Sequence, residues 1–162
     1  MEKCKRKYDD IKDLNDWDKI LVNFDMINTV KEPKVNYKTS PRIKSYMDLF
    51  VWRKADDLFV DLISDIELFP HTQAARVIID QLIRAAGSIS ANIAEGFGRR
   101  NRGDFAYRLG ISRGETNESH NWYHKCGRLK YLSIEIVTKR KAVLEEIEKM
   151  LTSLISKVQQ GN

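Results

Sequence analysis

Long apolar runs are missing from this chain: no uninterrupted hydrophobic stretch exceeds a few residues, whereas a membrane-spanning helix needs about 20. The opening residues, MEKCKRKYDD, lack the apolar centre of a secretory signal. A cytoplasmic protein with no membrane partner is therefore expected. Cysteine is scarce as well. Cys4 and Cys126 stand far apart and outside any CxxC spacing, which excludes a disulfide framework and predicts two free thiols in a reducing compartment. Only three prolines interrupt 162 residues, and neither strand-like alternation nor a repeat of fixed period is visible. Glycines 96, 98 and 103 follow no strand and precede no GK[ST], so they form no phosphate-cradling loop. No HExxH occurs. His120 and His124 lie four apart on one helical face, but Cys126 points about 200° away from His124 around a helix, and a third metal ligand is lacking. These absences leave no catalytic centre, cofactor or metal to expect.

What is present is helix-forming material: 42% apolar and 31% charged residues, enough at this length for one domain with a core of its own. From Leu49, the positions Trp52, Ala55, Phe59, Leu62, Ile63 and Ile66 recur at three and four residues, predicting a helix over about 48–68. Asp48 is its expected N-cap, and Phe69-Pro70 closes it. A second helix is predicted over about 73–95, ending near Phe97. It carries Val77, Ile78, Leu82, Ala85, Ala86, Ile89 and Ile93 inward. Gly87 implies close approach by a neighbouring backbone, and Gly96 and Gly98 suit a left-handed exit. A third, capped by Asp104 and running to about Lys130, has a seam of Phe105, Leu109, Ser112, Thr116, Ser119, Tyr123 and Cys126 at 3.5-residue spacing. That seam is small and polar at its middle, and Gly110, Gly114 and Gly127 weaken the helix further, so it depends on tertiary partners. Ser133 caps a fourth helix to about Gln159, with Ile136, Val143, Leu144, Ile147, Leu151, Leu154, Ile155 and Val158 facing in.

Four helices with short connections bury their stripes most simply as an all-α, up-down-up-down antiparallel four-helix bundle, here over residues 47–160. Residues 1–46 form an N-terminal extension of different character. Ile11, Leu14, Trp17, Leu21 and Phe24 keep helical spacing within about Asp9 to Ile27, and Lys31 to Lys44 reads as a basic linker.

The net charge of +5 is unevenly distributed. Residues 97–130 carry 8 basic and 3 acidic groups, the whole of the excess. Arg99, Arg100, Arg102, Arg108, Arg113, Lys125, Arg128 and Lys130 are the candidate nucleic-acid-binding residues, because clustered guanidinium and ammonium groups bind phosphates and release condensed counterions. Trp122, Tyr107 and Tyr123 lie near enough to stack on bases, although Tyr123 sits on the seam. Glu115 and Glu118 must face water or find partners.

The segment SISANIAEGFGRR, Ser88 to Arg100, closely resembles the "SIPxNIAEGxGR" signature of small bacterial four-helix bundle proteins encoded by 23S ribosomal RNA intervening sequences. LFVWRKADDL at Leu49 to Leu58, the Phe69-Pro70 corner, DQLIRAAGSIS from Asp80, and RLKYLS at Arg128 to Ser133 fit the same order, so the resemblance covers about 47–158. Ser90 stands where proline is usual, and residues 1–46 exceed the compact family length. Within the signature, Ser88, Asn92, Glu95 and Gly96 are read as structural, with Asn92 and Glu95 capping the turn at 97–103 or pairing with Arg99. Relatives of this kind include accessory variability determinant proteins of diversity-generating retroelements. The resemblance thus implies a homo-oligomer, a pentamer in those relatives, with RNA or DNA as partner. As the alternative it implies a protein-interaction adaptor, such as an accessory subunit for a reverse transcriptase.

Overall fold

The structure, a computed structural model, describes residues 43–99 and 101–160; the expected helix over Asp9 to Ile27 and all but the end of the basic linker lie outside the described residues, as do Arg100 and Gly161. Among the described residues four helices follow one another, α1 (Phe50–Ile66), α2 (Gln73–Phe97), α3 (Arg102–Arg128) and α4 (Ile134–Gln160), with a 3-10 turn at Tyr46–Asp48 leading into α1. Among the described residues there is no strand, and no helix is long and apolar enough to cross a membrane.

Side-chain pairs between helices give the topology. From α2 to α3 they are Arg84 with Glu118, Ile89 with Ser112 and Asn92 with Arg108. From α3 to α4 they are Arg113 with Thr152 and His120 with Glu145, and from α1 to α4, Lys54 with Glu146 and Asp61 with Arg140. In every series the number on one helix rises as the other falls, so neighbouring helices run antiparallel and α4 returns beside α1. This is the expected up-down-up-down bundle. α2–α3 and α3–α4 meet along most of their lengths, whereas α1 touches α4 more sparingly.

The apolar stripes supply a continuous core that includes Leu58, Leu62, Leu82, Ile89, Ile93, Leu109, Leu144, Ile147 and Leu154, each worth about 1.5–3 kcal/mol when fully buried. The seam of α3 is buried at all seven expected positions. Its hydroxyls are satisfied inside the bundle: Ser112 Oγ donates to the Ile89 carbonyl of α2 at 2.8 Å, while Thr116 and Ser119 donate to carbonyls one turn back, each at 2.9 Å. Small side chains there let α2 and α3 approach closely without leaving an unpaired polar group.

Several local expectations are corrected. Asp48 does not cap α1. It accepts from the amides of Lys44 and Ser45 in a capping box around the 3-10 turn, which holds its carboxyl below the usual range, and α1 begins after Leu49 with no side-chain cap. Asp104 does not cap α3 either: Asn101 Oδ1 accepts from the Asp104 amide at 2.7 Å, and Asn101 Nδ2 donates to the Asp104 carboxylate. Gly96 and Gly98 use no left-handed exit, since no glycine among the described residues has a positive φ. Gly96 lies inside α2, where a Cβ would stand 2.8 Å from both Arg108 Cβ and Phe105 Cδ2. Gly87 admits the Phe59 ring, a side chain and not a backbone. Ile63 and Val77, expected inward, are exposed, whereas Asp65 and Arg140 are buried. Ser133 does serve α4, accepting from the Ile136 amide.

Candidate nucleic-acid interface

Helical geometry distributes the basic run over more than one face. Each residue turns the side-chain direction by 100°, so Arg108 and Lys125 project toward α2 while Arg113, His120 and His124 project toward α4. The two groups meet different surroundings.

On the α2 side the charges are largely neutralised. Glu95, near the end of α2, pairs with Arg99 and, at 2.7 Å, with Arg108, and Asn92 joins them by donating to the Ser88 carbonyl and accepting from Arg108. The signature segment thus locks the end of α2 to the first turns of α3. Farther along, Arg84 pairs with Glu118 and stands 3.7 Å from Glu115, and Glu118 also accepts from the Trp122 indole. Burial, then the neighbouring Glu118 carboxylate, pushes the Glu115 carboxyl up. Lys125 lies over the Trp122 ring at 3.9 Å, so that ring is covered on one face. Tyr123 is wholly buried and donates to Asp65; Tyr107 is exposed.

On the α4 side the charges converge. His124 and Arg128 of α3 and Lys141 of α4 line one groove of about 490 Å³, together with the aliphatic Ile134, Val137 and Ala142. Gly127 sets its depth: a Cβ there would meet Val137 Cγ2 at 3.3 Å, so the two helices close tightly beneath it. Glu145 is the one carboxylate in the lining, and it faces His120 at 3.8 Å. Burial, then the Lys141 ammonium, holds the His120 imidazole below its ordinary pKa, against the opposing pull of Glu145. Arg113, farther along the same edge, donates weakly to Thr152 at 3.5 Å.

Lys130 stands at the corner beside the groove. With φ at 58° it occupies the left-handed position that ends α3, and the Lys130 and Tyr131 amides donate back to the Gly127 and Cys126 carbonyls, the paired bonds of a Schellman stop. Arg102 is half-buried in the first turn of α3. Of the eight basic candidates, then, Arg128 lines the groove and Lys130 adjoins it. Arg113 lies along the same edge, Arg99, Arg108 and Lys125 are engaged elsewhere, and Arg100 is outside the described residues. Lys141 and Ile134 were missed from the sequence because they belong to α4, whose local composition is balanced. Only the antiparallel register of α3 and α4 brings them in.

No group of three or more His, Cys, Asp or Glu residues is placed to hold a metal among the described residues. Cys126 packs in the core, and burial pushes its thiol up to about 11.

No curated protein matches this chain. It is similar to a solved protein of unknown function from the S23 ribosomal protein family of Bacteroides thetaiotaomicron, with 30% identity and a TM-score of 0.61 over 65% of this chain and 97% of that one. The model of one family, described as 23S rRNA-intervening sequence protein, matches residues 47–153, a span that takes in all of α1, α2 and α3 and most of α4. With the NIAEG segment doing the structural work at the α2–α3 corner, the chain belongs to the 23S rRNA-intervening sequence protein family.

Proposed function

We propose that this bundle binds RNA or DNA without catalysis, through the basic edge between α3 and α4, and that it does so as a homo-oligomer. The observation that carries the reading is the meeting of His124 and Arg128 with Lys141 in one concave surface offset by a single carboxylate. Phosphate contacts supply most of the affinity of sequence-tolerant binding, and they need cations without local counter-charges. The α3–α4 edge meets that requirement better than the α2 side, where Glu95, Glu115 and Glu118 already occupy the arginines. A family described by its link to 23S rRNA makes RNA the first ligand to test. Assembly into a ring, as the family resemblance implies, repeats the edge in each copy, and the exposed Val60, Ile63 and Val77 on α1 and α2 supply apolar surface for a second copy.

Fluorescence anisotropy with labelled RNA over a salt series tests the reading. Binding should weaken steeply with salt, and the double variant Arg128→Ser, Lys141→Ser should lower the log–log slope by about 1.4–1.8, as expected for two lost phosphate contacts. Retention no greater than that of a neutral control protein at low salt refutes it. Light scattering on the same sample reads the assembly, and a monomer mass would reject the oligomer.

A further inference from the structure

A surface that only follows a phosphate backbone has no use for aliphatic side chains. The α3–α4 groove nevertheless has an apolar side. Ile134, in the first turn of α4, is 69% exposed and stands in the lining with Val137 and Ala142, next to Arg128 and Lys141. Exposing an isoleucine at the opening of a helix does nothing for the core, and here it forms part of the groove's lining. The groove therefore joins two chemistries: the cations Arg128 of α3 and Lys141 of α4, and the aliphatic Ile134, Val137 and Ala142 of α4, with the planar His124 ring facing them from α3. Its volume of about 490 Å³ is that of an open groove, with room along it for one base and its sugar.

We propose that this groove holds one unstacked nucleotide of a single strand, its phosphate on Arg128 and Lys141 and its base against Ile134 and the His124 ring. The inference rests on the nucleic-acid reading above and sharpens it, because it names the single strand as the substrate class. A duplex shows its phosphates on the outside but keeps its base faces stacked, so it can use the cations and not the platform. A single strand can offer both, since its bases splay out and every base has a face to lay on an apolar or planar side chain. An acidic peptide would satisfy the cations alone.

The test compares, with the full chain, a labelled 12-nucleotide single strand, the 12-base-pair duplex of the same sequence and a glutamate peptide of equal charge. Ile134→Ser is the informative variant, because an exposed position tolerates it without loss of folding. The single strand should bind about tenfold tighter than the duplex, and Ile134→Ser should remove about that factor for the single strand while leaving duplex affinity and salt slope unchanged. Arg128→Ser should weaken both. In methyl-resolved NMR, adenosine monophosphate should shift the Ile134 and Val137 methyl signals and inorganic phosphate should not. Equal affinity for single strand and duplex with an inert Ile134→Ser overturns the base platform while leaving nucleic-acid binding intact. A peptide that matches the single strand overturns the choice of ligand, and loss of all binding sinks this inference together with the reading beneath it.

Discussion

Replacing Arg140 with methionine should destabilise the bundle by about 4 kcal/mol. Arg140 and Asp65 are both buried, at 6% and 3% exposure, and they join α4 to α1, the neighbouring pair of helices that touches most sparingly. The guanidinium donates from Nε to Asp65 Oδ2 at 2.8 Å and from Nη2 to Asp65 Oδ1 at 3.0 Å, and its remaining nitrogen reaches Asp61. The hydrogen bond to Asp65 pulls the guanidinium pKa up, so the group is charged throughout the accessible range. Methionine keeps most of the volume but leaves the Asp65 carboxylate in the interior with only the Tyr123 hydroxyl, at 2.9 Å, to solvate it. Two charge-assisted bonds at ~1.5–3 kcal/mol each agree with the ~3–5 kcal/mol measured when one partner of a buried pair is removed. The Asp61 contact, half-exposed on the acid side, adds at most about 1 kcal/mol. Against a typical total of ~5–15 kcal/mol the loss should be plain in urea denaturation followed by circular dichroism. The second part of the prediction is sharper: adding Asp65→Leu to Arg140→Met should recover most of the loss, because an apolar pair of similar bulk does not carry the desolvation cost. If the single variant costs under 1 kcal/mol, or the double variant is worse than the single, the account of this network is wrong.

Two glycines of α2 and α3 should respond to alanine with opposite signs. At Gly96, overpacking against Arg108 Cβ and Phe105 outweighs the gain in helix propensity, so Gly96→Ala should cost ~1–2 kcal/mol net; at Gly114, where a Cβ meets nothing within 4 Å, alanine should stabilise by about 1 kcal/mol, and urea midpoints that move together would refute the distinction. His120 should titrate below its ordinary 6.5 in an NMR pH series. Because the unfolded chain then binds the proton more tightly, this contribution to stability should be constant above about pH 6.5, fall as pH drops from there to the folded value, and change no further below that. Lys141, His124 and Glu145 face the ring, so a phosphate-bearing ligand in the groove should raise its pKa; a free-chain value at or above 6.5 contradicts the reading.

The fold was legible because the chain repeats its apolar residues at helical spacing over four long segments, and the period survives local errors. Every seam position of α3 came out buried although its centre is Ser112, Thr116 and Ser119, since spacing and not hydrophobicity carries the signal. The caps were less legible. Asn101 and Asp104 are both good capping residues three apart, and sequence alone does not say which one turns the chain, so the helix begins three residues earlier than expected. Asp65 and Arg140 were invisible for a different reason. Each reads as an ordinary surface charge on its own helix, and they are buried only because the register of α1 against α4 lets one cancel the other.

The same logic governs the candidate site. A segment's net charge is a sum along the chain, whereas a ligand meets a sum over a surface, and on a helix the two agree only when the charges share a face. The excess of 97–130 divides because α3 lies between two neighbours. On one side Glu95 of α2 holds Arg99 and Arg108, and Glu118 of α3 holds Arg84 of α2, struts that lock the two helices together. On the other, α4 contributes Lys141 and an exposed Ile134. The small, polar seam makes this possible, because it lets α2 come close enough for those carboxylates to reach. The feature that weakens α3 as an isolated helix is therefore the one that separates its two basic faces, one tied into the bundle by carboxylates and one facing α4 with Glu145 as the carboxylate of its groove.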